Sequence, residues 1–156
     1  MNTQLNTRLR PASPEDAEPI ADLFLAARTA SMSYLPRLHT DAETRWWISN
    51  VVLVEHEVQV AEDAASGDIL GFAAVGGEWL EHLYVLPAAQ GNGCGTRLLR
   101  HVVEHSTGEV SLHVFQRNTD ARRFYERHGF AVVSEGDGSL NEEGEPDLTY
   151  RWTARS

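Results

Sequence analysis

The sequence predicts an α/β fold: one mixed, mostly antiparallel sheet of six or seven strands flanked by about four helices. Two helix-start patterns lie in the first third of the chain. From Glu57 onward, short runs rich in β-branched and aromatic residues follow one another, separated by glycine-containing turns. Because 156 residues suit one domain and no repeat or composition shift marks a linker, residues 1–156 are expected to form a single domain.

Capping residues identify the helices of the first third. Ser13 precedes a proline and two acidic residues, a pattern typical of a helix N-terminus, and this helix is expected to reach Ala30. Thr40 and Glu43 have the spacing of a capping box, in which two side chains satisfy two free backbone amides. A second helix is therefore expected from Thr40, and a short edge strand, 5–10, precedes both.

Hydrophobic periodicity predicts the remaining elements. The segment 96–105 carries an apolar stripe at helical spacing and is predicted to be a helix. Asn118 can cap a further helix, 119–128, which Gly129 ends. The first three of the following strands are expected to form an antiparallel meander. The predicted strands are 58–62, 69–75, 79–85, 110–115, 130–134 and 148–152.

Composition argues against several functional classes. The net charge of −10 and the pI near 5.1 repel a polyanion, so no nucleic acid partner is expected. No apolar run approaches the ~20 residues that span a bilayer, so no membrane association is expected. The single cysteine, Cys94, cannot form an internal disulfide, and a cytoplasmic location is therefore expected.

The segment 85–96 runs from a strand through a glycine-rich loop into a helix. Such a loop directs backbone N–H groups toward one point, and the helix N-terminus adds positive potential, so a phosphate group would bind well. No Gly-Lys-Ser/Thr follows, which excludes a Walker loop, and Thr96 occupies the third glycine position of a dinucleotide fingerprint. The glycines alone fit a phosphate site and a plain tight turn equally well.

The same segment resembles the central signature of the GNAT acyltransferase superfamily. That signature, Gln/Arg-x-x-Gly-x-Gly/Ala, is present as QGNGCG from Gln90 to Gly95, after the strand sequence LYVLP. A second segment of the family is present in register from Asn118 to Phe130. The resemblance implies the GNAT acyl-CoA N-acyltransferase fold, whose sheet is splayed centrally to bind CoA, here between strands ending near Val85 and Val114.

The resemblance also implies a reaction and a donor site. It implies transfer of an acetyl group from acetyl-CoA, without a metal, to a primary amine of a small molecule or peptide. The loop amides would hold the pyrophosphate, and the exposed backbone of the preceding strand would pair with the pantetheine arm. Residues expected to contact acetyl-CoA are Leu83, Tyr84, Val85, Gln90, Gly91, Asn92, Gly93, Cys94, Gly95, Thr96, Asn118, Ala121, Phe124 and Tyr125.

Tyr125 is the candidate general acid, by its position in the family's second segment. Its phenol could protonate the departing thiolate, and its seven-residue spacing from Asn118 places both on one helix face. The alternative is an aromatic side chain that packs against Phe124 and Phe130 without a catalytic role.

Glu81 is the candidate general base, because this family often supplies a carboxylate or a water chain on the strand before the glycine loop. By period-two counting, Glu81 shares a strand face with Leu83 and Val85, whereas His82 points to the other face with Tyr84. The alternative is a solvated strand charge.

Acceptor specificity in the family comes from the first two helices and the last strand pair. In this chain those regions contain Tyr34, Arg37, His39 and the acidic loop 141–147, which includes Glu142. Trp79 lies on the strand of the candidate base and is expected to line the cleft. An acidic loop would suit an amine, although a solvated loop has the same composition.

Three other hypotheses are weighed beside this one. His101 and His105 match an inverted zinc motif, but they border an apolar helix stripe and no third ligand is evident. Cys94 could be a nucleophile at a helix N-terminus, although no ordered His/Asp partner is visible and a small loop filler fits better. The same fold could also serve as a non-catalytic acyl-CoA sensor, and the family resemblance leaves a homodimer open.

Overall fold

Seven strands form one sheet in the computed structural model, which describes residues 6–154. They are Thr7–Pro11 (β1), Glu57–Asp63 (β2), Ile69–Gly76 (β3), Trp79–Val85 (β4), Glu109–Phe115 (β5), Ala131–Gly136 (β6) and Asp147–Thr153 (β7). Their spatial order is β1-β2-β3-β4-β5-β7-β6, and only β4 and β5 are parallel neighbours among these strands. The predicted mixed, mostly antiparallel α/β sheet is confirmed. Leu5, the expected first residue of β1, lies outside the described residues.

The helices cover both faces of this sheet. Within residues 6–154 they are Ala17–Ser31 (α1), Asp41–Trp47 (α2), Leu53–Glu55 (α3), Cys94–Glu104 (α4) and Thr119–Arg127 (α5). A π-helical segment, Ile48–Val52, joins α2 to α3, so this part of the chain is helical without interruption. No helix in the described part of the chain combines the length and apolarity needed to cross a bilayer.

Local side-chain bonds start the first two helical segments, as the sequence predicts. The Glu43 backbone N–H donates to the Thr40 hydroxyl at 3.1 Å, and the Thr40 N–H donates to the Glu43 carboxylate at 2.9 Å. The Ser13 N–H donates to Asp16 at 2.8 Å, but this contact closes a 3-10 turn, Pro14–Asp16, ahead of α1. The α-helix therefore begins three residues later than expected.

The sheet opens between β4 and β5. The two strands are paired at one position, Trp79 with Ser111, where the Ser111 N–H donates to the Glu78 carbonyl at 2.8 Å. Beyond that pair the strands diverge, and the backbone of β4 from Leu83 to Val85 has no described strand on its β5 side. The predicted central split is confirmed, and this opening is called the β4/β5 cleft below.

A β-bulge interrupts β4 at Glu81. Ala74 pairs with His82, but Val75 pairs with Leu80, so Glu81 has no partner residue on β3. The bulge breaks the alternation on which the period-two prediction depends, and Leu80 rather than Glu81 joins the face of β4 that packs beneath α4. The predicted placement of Glu81 with Leu83 and Val85 is therefore wrong.

The core lies in two layers, one on each face of the sheet. One layer, centred on Tyr150, packs α4 and α5 against the sheet and contains the predicted apolar stripe of α4. The other, centred on Phe72, packs α1 and the second helical segment against β2 and β3. Both central side chains are fully buried. The strands that border the cleft are therefore held by close-packed side chains on both faces of the sheet.

A network of ion pairs joins the first two strands to the start of α1. Arg10 contacts Glu62 at 2.9 Å and Asp16 at 2.8 Å, and Arg8 contacts Glu62 at 2.5 Å. Both carboxylates are buried. The Arg10 guanidinium holds the pKa of Asp16 below its ordinary value, and Arg10 with Arg8 does the same for the pKa of Glu62.

Replacing Asp16 with asparagine tests this network. At pH 7 we expect the free energy of unfolding to fall by about 1–2 kcal/mol, and Tm by about 3–6 °C, because Arg10 loses one of its two charged partners. The lowered pKa of Asp16 stabilises the fold above its unfolded pKa, and this stabilisation is lost as the pH falls through the folded value. Thermal denaturation should therefore give a higher Tm for the wild type than for Asp16→Asn at pH 7, and the difference should shrink below about pH 4.

Asp22→Asn is the matched control, because Asp22 is an exposed carboxylate on α1 paired with Arg45 at 3.3 Å. It should change Tm by no more than about 1–2 °C. A pH-independent loss in Asp16→Asn would contradict the ionic explanation.

Candidate active site

The glycine loop presents free backbone donors at the start of α4. Gly91 and Gly93 have φ angles of 84° and 80°, in the left-handed region, and a Cβ at either position would meet no described atom within 4 Å. None of the N–H groups of residues 91–96 donates a hydrogen bond to a described residue. The loop therefore offers successive donors at a positive helix end, an arrangement that suits an anionic phosphate.

Close packing holds this loop against the sheet and α5. A Cβ on Gly95 would lie 3.5 Å from the Phe124 ring and 3.6 Å from Val85, so β4, α4 and α5 converge there. On the other side, the Cys94 sulfur would lie 3.1 Å from a Cβ on Gly71. A Cβ at Gly95 would make ordinary van der Waals contacts, whereas a Cβ at Gly71 would require Cys94 or β4 to shift.

Cys94 itself is buried and chemically quiet. Its residue surface is 1% exposed, and burial raises the pKa of its thiol to about 11. A nucleophilic cysteine needs an accessible thiolate, so the alternative of Cys94 as a nucleophile is not supported. The side chain fills space beneath the loop, and only its backbone belongs to the candidate site.

Helix α5 brings the second predicted segment to the same cleft. The Asn118 side chain accepts a hydrogen bond from the Ala121 N–H at 3.3 Å and so caps the helix, as predicted. Gly129 ends the helix in the left-handed region at φ 88°. The carboxamide nitrogen of Asn118 makes no hydrogen bond to a described residue, so it can donate into the cleft.

Tyr125 lies on the buried side of α5. Its ring packs against Phe124 at 5.2 Å and Phe130 at 5.6 Å between centroids, as the packing alternative requires. Burial, with a smaller contribution from Tyr84, raises the pKa of Tyr125 above its ordinary value. The phenol therefore stays protonated at neutral pH and is able to donate a proton. Packing and proton donation are compatible roles here.

The residues at the bulge differ sharply in environment. Glu81 is exposed, and its carboxylate makes no hydrogen bond or ion pair with a described residue. His82 is packed among aromatic rings, with Trp47 at 5.0 Å and Phe24 at 6.2 Å. Burial, assisted by the charges of His56 and Arg28, lowers the pKa of His82 to about 4, so this histidine is neutral at physiological pH.

The predicted acceptor residues lie in different parts of the structure. Tyr34 is half-buried near the last turn of α1, and His39 contacts the loop residue Glu142 at 3.1 Å. Arg37 instead pairs with Asp41 at the start of α2. Trp79 lies at the closed end of the cleft, where it stacks on His113 at 4.7 Å.

The acidic loop is not a free anionic surface. Three of its four carboxylates contact basic groups from other segments: Glu142 contacts His39, Glu143 contacts Arg28 at 3.4 Å, and Glu145 contacts Arg117 at 2.6 Å. The fourth, Asp147, accepts a hydrogen bond from the Asn141 amide within the loop at 3.3 Å.

The sequence analysis missed Arg28 and Arg117. The available signal for Arg28 was its spacing of one helical turn from Phe24, which places it on the sheet-facing side of α1. Arg117 lies next to Asn118, at the start of the second family segment.

The two histidines of the zinc alternative lie at the end of α4, with His101 in the helix and His105 as its C-cap. His101 and His105 stack at 4.0 Å, and the His105 Nδ1 lies 2.8 Å from the His101 carbonyl. Within residues 6–154, no group of three or more potential ligands among His, Cys, Asp and Glu is placed to hold a metal ion.

Known proteins that resemble this chain are acetyltransferases. A family model described as an acetyltransferase (GNAT) domain matches residues 51–132, just over half of the chain. The phosphinothricin N-acetyltransferase of Streptomyces coelicolor is 29% identical over 153 residues, covering 88% of this chain and 86% of that protein.

Two further relatives match over shorter segments. The peptidyl-lysine N-acetyltransferase YjaB of Salmonella typhimurium is 31% identical over 77 residues, 49% of this chain and 51% of the relative. The spermine/spermidine N(1)-acetyltransferase of Bacillus subtilis is 28% identical over 96 residues, 51% of this chain and 60% of the relative. The chain thus spans little more than half the length of these two proteins.

Solved structures share the fold. The apo form of YjaB from Escherichia coli has a TM-score of 0.80 at 20% identity, covering 97% of this chain and 100% of that one. The structure of yncA from Salmonella typhimurium with acetyl-CoA has a TM-score of 0.72 at 19% identity, covering 97% and 95%. At these identities the likeness concerns the fold alone.

The state of Cys94 can be tested by thiol labelling. Because it is the single cysteine, buried and with a raised pKa, native protein at pH 8 should react with a disulfide reagent at least ~10²-fold more slowly than unfolded protein. Stopped-flow absorbance would measure both rates, with protein in concentrated guanidinium chloride as the reference. Labelling of the native protein at the rate of a free thiol would restore the nucleophile hypothesis.

Proposed function

The chain belongs to the GNAT acetyltransferase family, and on that premise we propose that it transfers the acetyl group of acetyl-CoA to a primary amine. The observation that carries the proposal is the β4/β5 cleft. Unpaired strand backbone lies along it, free loop amides lie at one end, and the protonated Tyr125 phenol lies beside it. These features together suit a long ligand with an anionic end and a reactive thioester.

The loop and the two neighbouring elements would divide the binding of acetyl-CoA. The amides of residues 91–96 would donate to the pyrophosphate, and the open space at Gly91 and Gly93 leaves room for it. The backbone of Leu83–Val85 would pair with the pantetheine amides as an added strand would. The free amide nitrogen of Asn118 would donate to the same arm, and Phe124 would pack against it.

Direct attack by the amine requires two proton movements. As the new C–N bond forms and the C–S bond breaks, Tyr125 would donate its phenolic proton to the departing sulfur. A base must take one proton from the attacking amine, and transfer through solvent then restores Tyr125. When bound, acetyl-CoA supplies the activated acyl group, so the protein has only to orient the reactants and move these protons.

Glu81, acting directly or through water, is the proposed base. Glu81 is exposed at the bulge of β4, the strand that borders the cleft, and its carboxylate makes no ion pair with a described cation. His82 is less suitable, because a pKa of about 4 makes its imidazole a weak base. The bulge supports the same assignment, since it directs an otherwise regular strand residue out of the ladder.

Gly93→Glu tests the donor site. We expect it to abolish CoA binding in calorimetry and thiol release from acetyl-CoA, because a carboxylate would enter the phosphate position. Gly67→Glu is the matched control: its φ of 78° and its open surroundings reproduce those of Gly93 on the distant β2–β3 turn. Equal CoA affinity in the two variants would refute the site. CoA binding by the wild type without turnover of any amine would favour a sensor.

Tyr125→Phe tests the general acid. We expect turnover to fall about 10²-fold with nearly unchanged affinity for acetyl-CoA, since the phenol acts in the transition state. Tyr150→Phe is the control. The buried Tyr150 hydroxyl donates a hydrogen bond of 2.6 Å to Glu126, and it has no part in the proposed chemistry. The substitution should lower stability but preserve turnover. Full activity in Tyr125→Phe would remove the residue from the mechanism.

A further inference from the structure

Arg28 is a half-buried cation on the acceptor side of the cleft. Its side chain is 26% exposed and lies over the Phe24 ring at 5.3 Å. The guanidinium has five donors, and it makes one long hydrogen bond, 3.4 Å to Glu143, and a weaker contact with the Tyr84 hydroxyl. In a protein with net charge −10, this cation has donor capacity left for another anion.

Tyr34 offers a second donor, and the charge of Arg28 acts on the pKa of its hydroxyl. Its hydroxyl is buried and has no hydrogen-bond partner among the described residues. The ring is held in place by Arg117, 4.2 Å above it, which is itself fixed by Glu145. A buried, unpartnered hydroxyl on a fixed ring is costly unless a ligand satisfies it.

Arg28 lies near Tyr84, on the strand that borders the cleft, because the Phe24 ring beneath its guanidinium is 4.9 Å from the Tyr84 ring between centroids. Burial raises the pKa of Tyr34 and of Tyr84, and the charge of Arg28 acts against both rises. Tyr84 in turn acts on Tyr125, the proposed acid. An anion held by Arg28 and Tyr34 would therefore lie beside the reacting thioester.

Glu143 indicates what kind of anion this region accepts. Its carboxylate, 11% exposed, already occupies one side of Arg28. Three of the loop carboxylates are paired with Arg28, His39 and Arg117. Arg28 and the Tyr34 hydroxyl have unused donor capacity, which favours an acceptor with an anionic group over a polyamine.

Building on the proposed acetyl transfer, we propose that the acceptor is an amino acid, whose carboxylate is bound by the Arg28 guanidinium and the Tyr34 hydroxyl. The carboxylate anchors the molecule and directs its amine toward the thioester. When the acceptor binds, its carboxylate contacts the Arg28 guanidinium beside the Glu143 carboxylate or in place of it. Arg28 and Tyr34 are thus specificity-determining residues.

The test compares the standard L-amino acids with their amides and their decarboxylated amines, together with spermidine and a lysine peptide, by thiol release from acetyl-CoA. The amide amine has the lower pKa and is the better nucleophile at neutral pH, so preference for the acid must come from binding. We expect kcat/KM about 10- to 100-fold higher for an accepted amino acid than for its amide. Equal or better use of amides, polyamines or the peptide would overturn the inference and leave the acetyltransferase function standing. CoA binding without turnover of any of these amines would overturn both.

Variants distinguish binding of the acceptor carboxylate by Arg28 from a role of Arg28 in holding the acidic loop through Glu143. In Arg28→Gln the acid-to-amide ratio should fall to about one, while CoA affinity is unchanged. Glu143→Gln weakens the same loop contact and removes the carboxylate that competes for Arg28, so the ratio should not fall; an equal loss in both variants would mean that Arg28 only holds the loop. Arg45→Gln, at a comparable surface pair with Asp22 of 3.3 Å, is the control. If Arg28→Gln does not fold, Tyr34→Phe should lower the ratio, and an unchanged ratio there would overturn the inference.

Discussion

The divergence of β4 from β5 is the constraint on which the rest of the candidate site depends. These two strands are parallel neighbours joined at one residue pair, whereas the other neighbouring pairs of the sheet are antiparallel and pair along five or more residues. Buried backbone groups need hydrogen-bond partners, so a strand that loses its neighbour inside a protein calls for a substitute. The cleft, the free amides and the phenol of Tyr125 all take their positions from this opening.

Electrostatics gives the two ends of the cleft different chemistry. At the glycine loop, positive potential comes from backbone amides and a helix end, with the charge of Arg97 nearby. On the proposed acceptor side it comes from Arg28 and Arg117, each held by a loop carboxylate. An acidic protein can thus bind a phosphate group and an anionic acceptor, because local donors outweigh the distant field at contact distance.

Burial tunes the titratable groups in the same region. It keeps Tyr125 protonated, makes His82 a neutral packing residue and leaves the thiol of Cys94 un-ionised, whereas the bulge leaves Glu81 exposed to solvent. The proposed division of roles, with Tyr125 as proton donor and Glu81 as proton acceptor, follows from burial on one side and exposure on the other. A change in sheet geometry near the bulge would therefore alter the chemistry as well as the packing.

The sequence by itself determined the features that depend on neighbouring residues. Thr40 with Glu43, the glycine loop and the Asn118 cap were identified because their contacts span a few positions, and they fix the order of elements and the family segments. Only the tertiary structure decided the bulge at Glu81, the pairing of Arg28 with Glu143 115 residues away, and the contact of Arg117 with Tyr34. Strand register and long-range ion pairs depend on how separate elements pack, and local sequence patterns carry no record of that geometry.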